Sequence, residues 1–167
     1  LTQGLHALNL PPQTFRIRVQ SSIPIGCGAG SSAAFCVSVV RALGSSAGLR
    51  LHPEQVNAAA FLLEKEFHGT PSGIDNTVVA FEHAVWFQRN SPMQRVEFSA
   101  PIHWVLVDSG QRGSTAEAVA DVRRQRTERP EQFAKMMDAS REDTKEVLDA
   151  LAAGNRHRLV GCMERAH

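Results

Sequence analysis

Residues 23–35, IPIGCGAGSSAAF, decide how the first half of this chain folds. Before them, residues 14–20, TFRIRVQ, alternate apolar and polar side chains, which predicts a half-buried strand. After them, residues 31–43 carry a nearly continuous apolar series, which predicts a largely buried helix that ends around Gly44. The glycine-rich stretch therefore lies where an expected strand turns into a buried helix.

The glycines and serines of this turn point to anion binding. The first turn of a helix presents N–H groups without intrahelical acceptors at the positive end of the helix dipole. A phosphate approaches closely only where side chains are absent and positive φ is allowed, as at Gly26, Gly28 and Gly30. Ser31 and Ser32 add hydroxyls that reach a phosphate or a metal ion. The spacing matches neither GxGxxG nor a Walker loop, and a ligand-free turn capped by Ser31 is the alternative.

A second polar segment, HGTPSGIDN at residues 68–76, follows a predicted helix that Pro53 opens. Its Asp75 either orients or deprotonates a substrate hydroxyl, or it caps a helix or an Asx turn. Glu64, four residues before His68, is either a Mg²⁺ ligand beside phosphates or a solvent-exposed carboxylate. The pattern leaves both choices open.

The rest of the chain mixes strands and helices without strict alternation, which favours an α+β class. The expected elements are strands at 83–89, 94–100 and 102–110, the last buried on both faces, and helices at 115–126, 130–152 and 155–167. An Asn90-Ser91-Pro92 turn separates the first two strands, and Ser114 with Glu117 forms a capping box for the first helix.

Taken together, the two polar segments resemble those of a kinase superfamily. PIGCGAGSSAAF resembles the phosphate loop of the GHMP kinases, P-x-x-G-L-G-S-S-A-A, and HGTPSGIDN resembles the more specific HGxPSGxDN motif of the mevalonate kinases. The resemblance runs from about Phe15 to Val122. It implies a GHMP-kinase-like two-domain fold, with a ribosomal protein S5 domain 2-like part over residues 1–99 and the beginning of a ferredoxin-like C-terminal part over residues 100–167.

The resemblance also implies a role for each matching residue. Pro24, Gly26, Gly28, Gly30, Ser31 and Ser32 would line the phosphates of ATP, Ser32 and Glu64 would hold Mg²⁺, and His68, Gly69, Thr70, Pro71 and Ser72 would shape the acceptor pocket. Asp75 would be the general base in ATP-dependent phosphorylation of the C5 hydroxyl of (R)-mevalonate to 5-phosphomevalonate. Ser114 and Thr115 match a Ser/Thr pair on the substrate side of the family's cleft. Cys27 and Ala29 depart mildly from the pattern.

Two blocks of the family pattern do not occur in this sequence. They are an N-terminal block with a catalytic-site lysine and a C-terminal glycine-rich block; the only lysines are Lys65, Lys135 and Lys145. We therefore expect a fragment, truncated at both ends, with low or no activity alone. Two alternatives stay open: a GHMP kinase with another small-molecule acceptor, and a non-catalytic nucleotide-binding protein on the same fold.

Composition restricts the expected partners. A net charge of +1 does not suggest nucleic acid, and the sequence has no apolar run of the roughly 20 residues that a membrane span needs. The three cysteines form no CxxC pair, which fits a reducing cytoplasm better than a disulfide framework or a zinc site. We expect a small-molecule substrate as the partner, and the resemblance leaves a homodimer of the complete enzyme open.

Overall fold

The computed structural model describes residues 2–24, 28–107, 110 and 115–166 of the chain. Its elements are helices α1 (Thr2–Ala7), α2 (Ser31–Ser46), α3 (Pro53–His68) and α4 (Ile74–Phe81), strands β1 (Val85–Trp86) and β2 (Gln94–Arg95), and helices α5 (Thr115–Glu128), α6 (Pro130–Ala152) and α7 (Arg156–Ala166). They fall into two compact units, Leu1–Arg95 and Val96–His167. Among the helices of the described part, none is both long and apolar enough to span a lipid bilayer.

Helix α2 is the centre of the first unit. It is apolar on most of its circumference because α1, α3 and α4 all pack against it. Cys36, Val37 and Val40 are fully enclosed, and Leu63 of α3 lies in the same core. Burying a side chain of this size contributes about 1.5–3 kcal/mol relative to leaving it in water. The predicted buried helix after the glycine-rich turn is therefore confirmed.

Helices α2 and α3 run antiparallel. Ser32, at the start of α2, is hydrogen-bonded to Glu64, near the end of α3. The rings of Phe35 and Phe67 meet edge to face at 6.0 Å at the same end of the pair. Gly69 then ends α3 with a φ of 66°, as expected for a glycine stop. This pairing places the beginning of one helix beside the end of the other.

The predicted strands at 83–89 and 94–100 are much shorter in the structure. β1 and β2 pair antiparallel, with Val85 opposite Arg95 and Trp86 opposite Gln94. The turn between them is confirmed: Asn90 has a φ of 64°, and the Ser91 N–H donates to the Gln88 carbonyl at 3.1 Å.

Two other predicted strands are wrong for the residues that the structure describes. Residues 14–20 and 102–107 form no ladder, and the exposed fractions of Val19 and Leu106 are 60% and 97%. A strand exists through hydrogen bonds to a neighbouring strand, and the sheet of the described residues contains only β1 and β2. Residues 108 and 109 of the last predicted strand lie outside the described part. The described residues contain both helices and a sheet, as the α+β prediction requires, but they are mostly helical and the sheet is small.

Helices α5, α6 and α7 of the second unit match the predictions closely. Ala150, Leu159 and Cys162 fill the seam between α6 and α7. Arg158 pairs with Glu146 at 2.9 Å, and Arg165 with Asp143 at 2.8 Å. Such exposed ion pairs contribute little to stability, so the apolar seam carries the packing. Ser114, the predicted cap of α5, lies outside the described residues.

Neighbouring leucines on α3 offer a direct test of the core. Leu63 is 4% exposed and Leu62 is 40% exposed. We expect Leu63→Ala to lower the free energy of unfolding by about 2–5 kcal/mol, because it removes buried methyl groups and leaves a cavity. Leu62→Ala is the matched control, with an expected loss below about 1 kcal/mol. Equal losses in chemical denaturation would contradict this placement of α3.

Candidate active site

The glycines before α2 take the conformation that an anion-binding turn requires. Gly28 and Gly30 have φ values of 76° and 69°, and nothing lies within 4 Å of a Cβ built on either one. Their role is therefore positive φ rather than close packing. Gly30 is the N-cap, so the first turn of α2 has no side-chain cap and its N–H groups lack intrahelical acceptors. The alternative in which Ser31 caps the helix is wrong, because Ser31 is its first residue.

Two further members of the predicted phosphate loop precede Gly28 in the sequence. Pro24 is exposed before the turn. Gly26 lies outside the described residues. The described part of the loop is thus the Gly28–Ser32 segment, which leads directly into the first turn of α2.

Ser32, Glu64 and His68 form one polar cluster, called here the α2–α3 cluster. The Ser32 hydroxyl donates to Glu64 Oε1 at 2.7 Å, and His68 Nε2 lies 3.0 Å from Ser32 Oγ and 3.7 Å from Glu64 Oε2. Because the single hydroxyl proton goes to Glu64, His68 Nε2 is the donor to Ser32. Glu64 is only 4% exposed, so its interpretation as a solvent-exposed carboxylate is wrong.

Cys36 lies next to this cluster and contacts Glu64. It lies one helical turn after Ser32 on α2 and is fully buried. Burial, then the hydrogen bond to Glu64 and the negative charge of Glu64, raises the pKa of the Cys36 thiol to about 12. The thiol therefore stays protonated at neutral pH. No motif of the sequence assigns a role to Cys36, although its spacing of four residues from Ser32 on a buried helix was the available signal.

The α2–α3 cluster fits a hard divalent cation. It offers a hydroxyl oxygen and a carboxylate oxygen 2.7 Å apart. Oxygen ligands on neighbouring vertices of a Mg²⁺ octahedron with bonds near 2.1 Å are about 3 Å apart. Mg²⁺ is usually bound by one or two carboxylates together with substrate phosphates and water. The open first turn of α2 lies directly beside these two oxygens.

The loop from α3 to α4 is held by one hydrogen bond within the loop and by another from Arg89, which lies between β1 and β2. Ser72 Oγ accepts the Ile74 N–H at 3.3 Å, and the Pro71 carbonyl accepts Arg89 Nη2 at 3.1 Å. Gly69 and Thr70 are exposed. Among the predicted acceptor-pocket residues, His68 is part of the α2–α3 cluster. The remaining four, residues 69–72, belong to this loop. Sequence reasoning missed Arg89, which is distant in sequence and carries no motif.

Asp75 lies in the first turn of α4, after the N-cap Gly73 with a φ of 90°. Its side chain is exposed and makes no hydrogen bond or ion pair with another described residue. The structure therefore does not bring Asp75 into contact with the α2–α3 cluster. It belongs to the same unit, because α4 packs against both α2 and α3.

Comparison with known proteins shows which family and which structures this chain is similar to. Residues 2–83 match the GHMP kinases N-terminal domain model. A mevalonate kinase of Thermococcus sibiricus is 38% identical over 69% of this chain and 34% of its own length. One of Gibberella zeae is 36% identical over 81% of this chain and 30% of its own. The crystal structure of L. major mevalonate kinase with R-mevalonate has a TM-score of 0.75 at 33% identity and covers 83% of this chain.

The chain is shorter than these relatives. It spans about a third of the length of the curated proteins it matches, and 43% of the L. major enzyme.

The environment of Cys36 predicts slow alkylation. Only the thiolate reacts, and with a pKa of about 12 roughly one thiol in 10⁴ is ionised at pH 8. We expect peptide mapping after iodoacetamide treatment at pH 8 to show unmodified Cys36 in the folded protein. In guanidinium the same residue should be fully modified, which is the control. Rapid modification of Cys36 in the folded protein would rule out this buried environment.

Proposed function

The chain belongs to the GHMP kinase family through the N-terminal domain of residues 2–83, and on this premise we propose a function. It takes part in ATP-dependent phosphorylation of the C5 hydroxyl of (R)-mevalonate to 5-phosphomevalonate. The observation that carries this proposal is the hydrogen bond from Ser32, at the uncapped start of α2, to the buried carboxylate of Glu64. The R-mevalonate bound in the L. major enzyme supports the choice of acceptor.

The glycine-rich turn holds the phosphates of ATP. Its donors are the amides at the start of α2 together with the Ser31 hydroxyl, and Gly28 and Gly30 give the phosphates room to approach. Pro24 and Gly26 complete the loop by motif. Phosphoryl transfer relies mainly on positioning and on stabilisation of charge. A rigid helix start meets both needs, because its donors are fixed before the nucleotide arrives.

Ser32 and Glu64 are the proposed ligands of Mg²⁺. When bound, the cation neutralises charge on the phosphates. Two neighbouring side chains hold these oxygens in place: His68 donates to Ser32, and Cys36 lies beside Glu64. The Ser32 hydroxyl donates to Glu64 in the metal-free cluster. A ligand pair that is already assembled loses little conformational freedom on binding.

Asp75 is the proposed general base. Its exposed carboxylate accepts the proton of the C5 hydroxyl as that oxygen forms a bond to the γ-phosphorus and the bond from this phosphorus to ADP breaks. Gly69, Thr70, Pro71 and Ser72 form the acceptor side, next to the start of α4. With no side-chain partner among the described residues, Asp75 has its acceptor capacity available for substrate.

Several finer expectations remain proposals. They are a mevalonate acceptor rather than another alcohol, a cytoplasmic location, a homodimer and the lack of nucleic-acid or membrane partners. The motif HGTPSGIDN and relatives named mevalonate kinase favour mevalonate. Steady-state assays of the full-length protein with a panel of acceptor alcohols test this choice: preference for another alcohol would replace mevalonate, and ATP binding without transfer to any alcohol would indicate a non-catalytic protein.

The role of Asp75 predicts a selective loss of turnover. In the full-length protein, Asp75→Asn should lower kcat about 10²–10⁴-fold, because the amide cannot accept the proton. The dissociation constant for ATP should change less than about threefold, since Asp75 does not contact the α2 turn. Glu66→Gln, an exposed carboxylate change on α3, is the matched control. Near-normal kcat in Asp75→Asn would remove Asp75 from this role.

The role of Glu64 predicts a loss of metal affinity. Glu64→Gln removes the anionic ligand but keeps the size of the side chain, and we expect Mn²⁺ or Mg²⁺ to bind the nucleotide complex at least tenfold more weakly. Calorimetric titration of ATP with and without the cation measures this difference. Metal-free ATP should bind both proteins alike. Unchanged metal affinity in Glu64→Gln, with Glu66→Gln as reference, would exclude Glu64 as a ligand.

A further inference from the structure

A second polar cluster, buried between α3 and α4, is not explained by the proposed roles. It consists of Asn57 on α3 and Asn76 and Thr77 on α4, and the latter two side chains are almost completely buried. Asn57 Oδ1 accepts Asn76 Nδ2 at 2.5 Å. The backbone carbonyl of Asn57 lies 3.4 Å from the same nitrogen. We call this set the Asn57 clamp.

The protons of the Asn57 clamp can be assigned from its distances. Thr77 Oγ1 lies 2.6 Å from the Gly73 carbonyl, so its one proton goes there. The hydroxyl is then an acceptor for Asn57 Nδ2 at 3.2 Å. The oxygen and the nitrogen of the Asn57 side-chain amide thus both form hydrogen bonds with residues of α4. A network of hydrogen-bonded side chains of this kind, buried for the most part, favours one arrangement of its members over others.

The clamp acts on the turn that contains Asp75. Gly73, which receives the Thr77 proton, is the N-cap of α4, and Asp75 lies between it and Asn76 in sequence. A Cβ at Gly73 would lie 3.4 Å from the rings of both Phe61 and Phe87, so this residue is enclosed as well. The first turn of α4 is therefore fixed on its buried side while Asp75 is exposed.

We propose that Asn57 is a positioning residue that fixes the start of α4 through Asn76 and Thr77 and so sets the direction of the Asp75 carboxylate. Successive residues of a helix are separated by a rotation of about 100°. With Asn76 and Thr77 held against α3, the position of Asp75 on the exposed side is determined. This inference rests on the proposed function, in which Asp75 is the base. Misplacing a catalytic group by about 1 Å can lower turnover on the order of 10²-fold.

Thr77 provides the sharpest test in the full-length protein. Thr77→Val keeps the side-chain shape but leaves Asn57 Nδ2 without its acceptor, and it leaves the Gly73 carbonyl with only the Thr77 backbone N–H at 3.4 Å. We expect kcat to fall roughly 10- to 100-fold, while KM for ATP stays within about twofold because the nucleotide turn lies on α2. Thr77→Ser restores the hydroxyl and should recover kcat to within about threefold. Thr144→Val on α6, which also removes a helical hydroxyl bonded to a carbonyl, is the control.

A combination with Asp75→Asn shows whether the clamp acts through the base. In that background Thr77→Val should lower kcat no further, because the group being positioned is already gone. A kcat within twofold of the original protein for Thr77→Val, or losses that multiply in the double variant, would overturn the proposal. If Thr77→Val does not fold, Asn57→Asp replaces it: it keeps the acceptor for Asn76, lacks the donor to Thr77, and is judged by the same criteria.

Hydrogen exchange separates failure of the clamp from failure of the proposed function. The amides of residues 77–80, which are the first of α4 with intrahelical acceptors, should exchange at least tenfold faster in Thr77→Val than in Thr77→Ser, and unchanged exchange would overturn the clamp. If Asp75→Asn keeps near-normal turnover, the proposed base is wrong and the inference that Asn57 positions it falls too. Impaired turnover in Asp75→Asn with normal turnover in Thr77→Val would reject the clamp alone.

Discussion

The buried carboxylate of Glu64 is the constraint on which the first unit depends. A carboxylate removed from water is strongly destabilising unless hydrogen-bond donors surround it. The donor at 2.7 Å comes from Ser32, while His68 and Cys36 complete the surroundings. Ser32 and Cys36 lie on α2 and His68 lies on α3, so the charge is satisfied only when the two helices are antiparallel in this register.

The two polar clusters of the unit differ in chemistry and in the element they fix. The α2–α3 cluster is charged and lies beside an uncapped helix start, which suits a cation and phosphates. The Asn57 clamp is neutral, and its hydrogen bonds join α3 to the start of α4, so it serves to hold α4. Helix α3 contributes to both, with Asn57 toward one end and Glu64 toward the other. Helix α3 thus connects the part of the proposed site that binds the nucleotide with the part that binds the acceptor.

Helices and strands differed in how well the sequence predicted them. The bounds of α2, α3, α6 and α7 follow from apolar spacing, Pro53, Pro130 and Gly69, because a helix makes its hydrogen bonds within its own segment. The alternating residues 14–20 and the apolar residues 102–110 predicted strands that the described part of the chain does not contain. A strand depends on partners that are distant in the sequence, and a local pattern carries no information about whether they are present.

The sequence by itself determined the helical segments, the positive φ at Gly28 and Gly30, and the two motifs that contain Ser32 and Asp75. It left open whether Glu64 was exposed or buried, whether Ser31 was a cap, and what Cys36 and Asn57 contact. Only the tertiary structure decided these points, because each depends on which residues of another helix lie within hydrogen-bond reach. Glycine conformation is a property of one residue, whereas burial of a charge and satisfaction of an amide are properties of the packed helices.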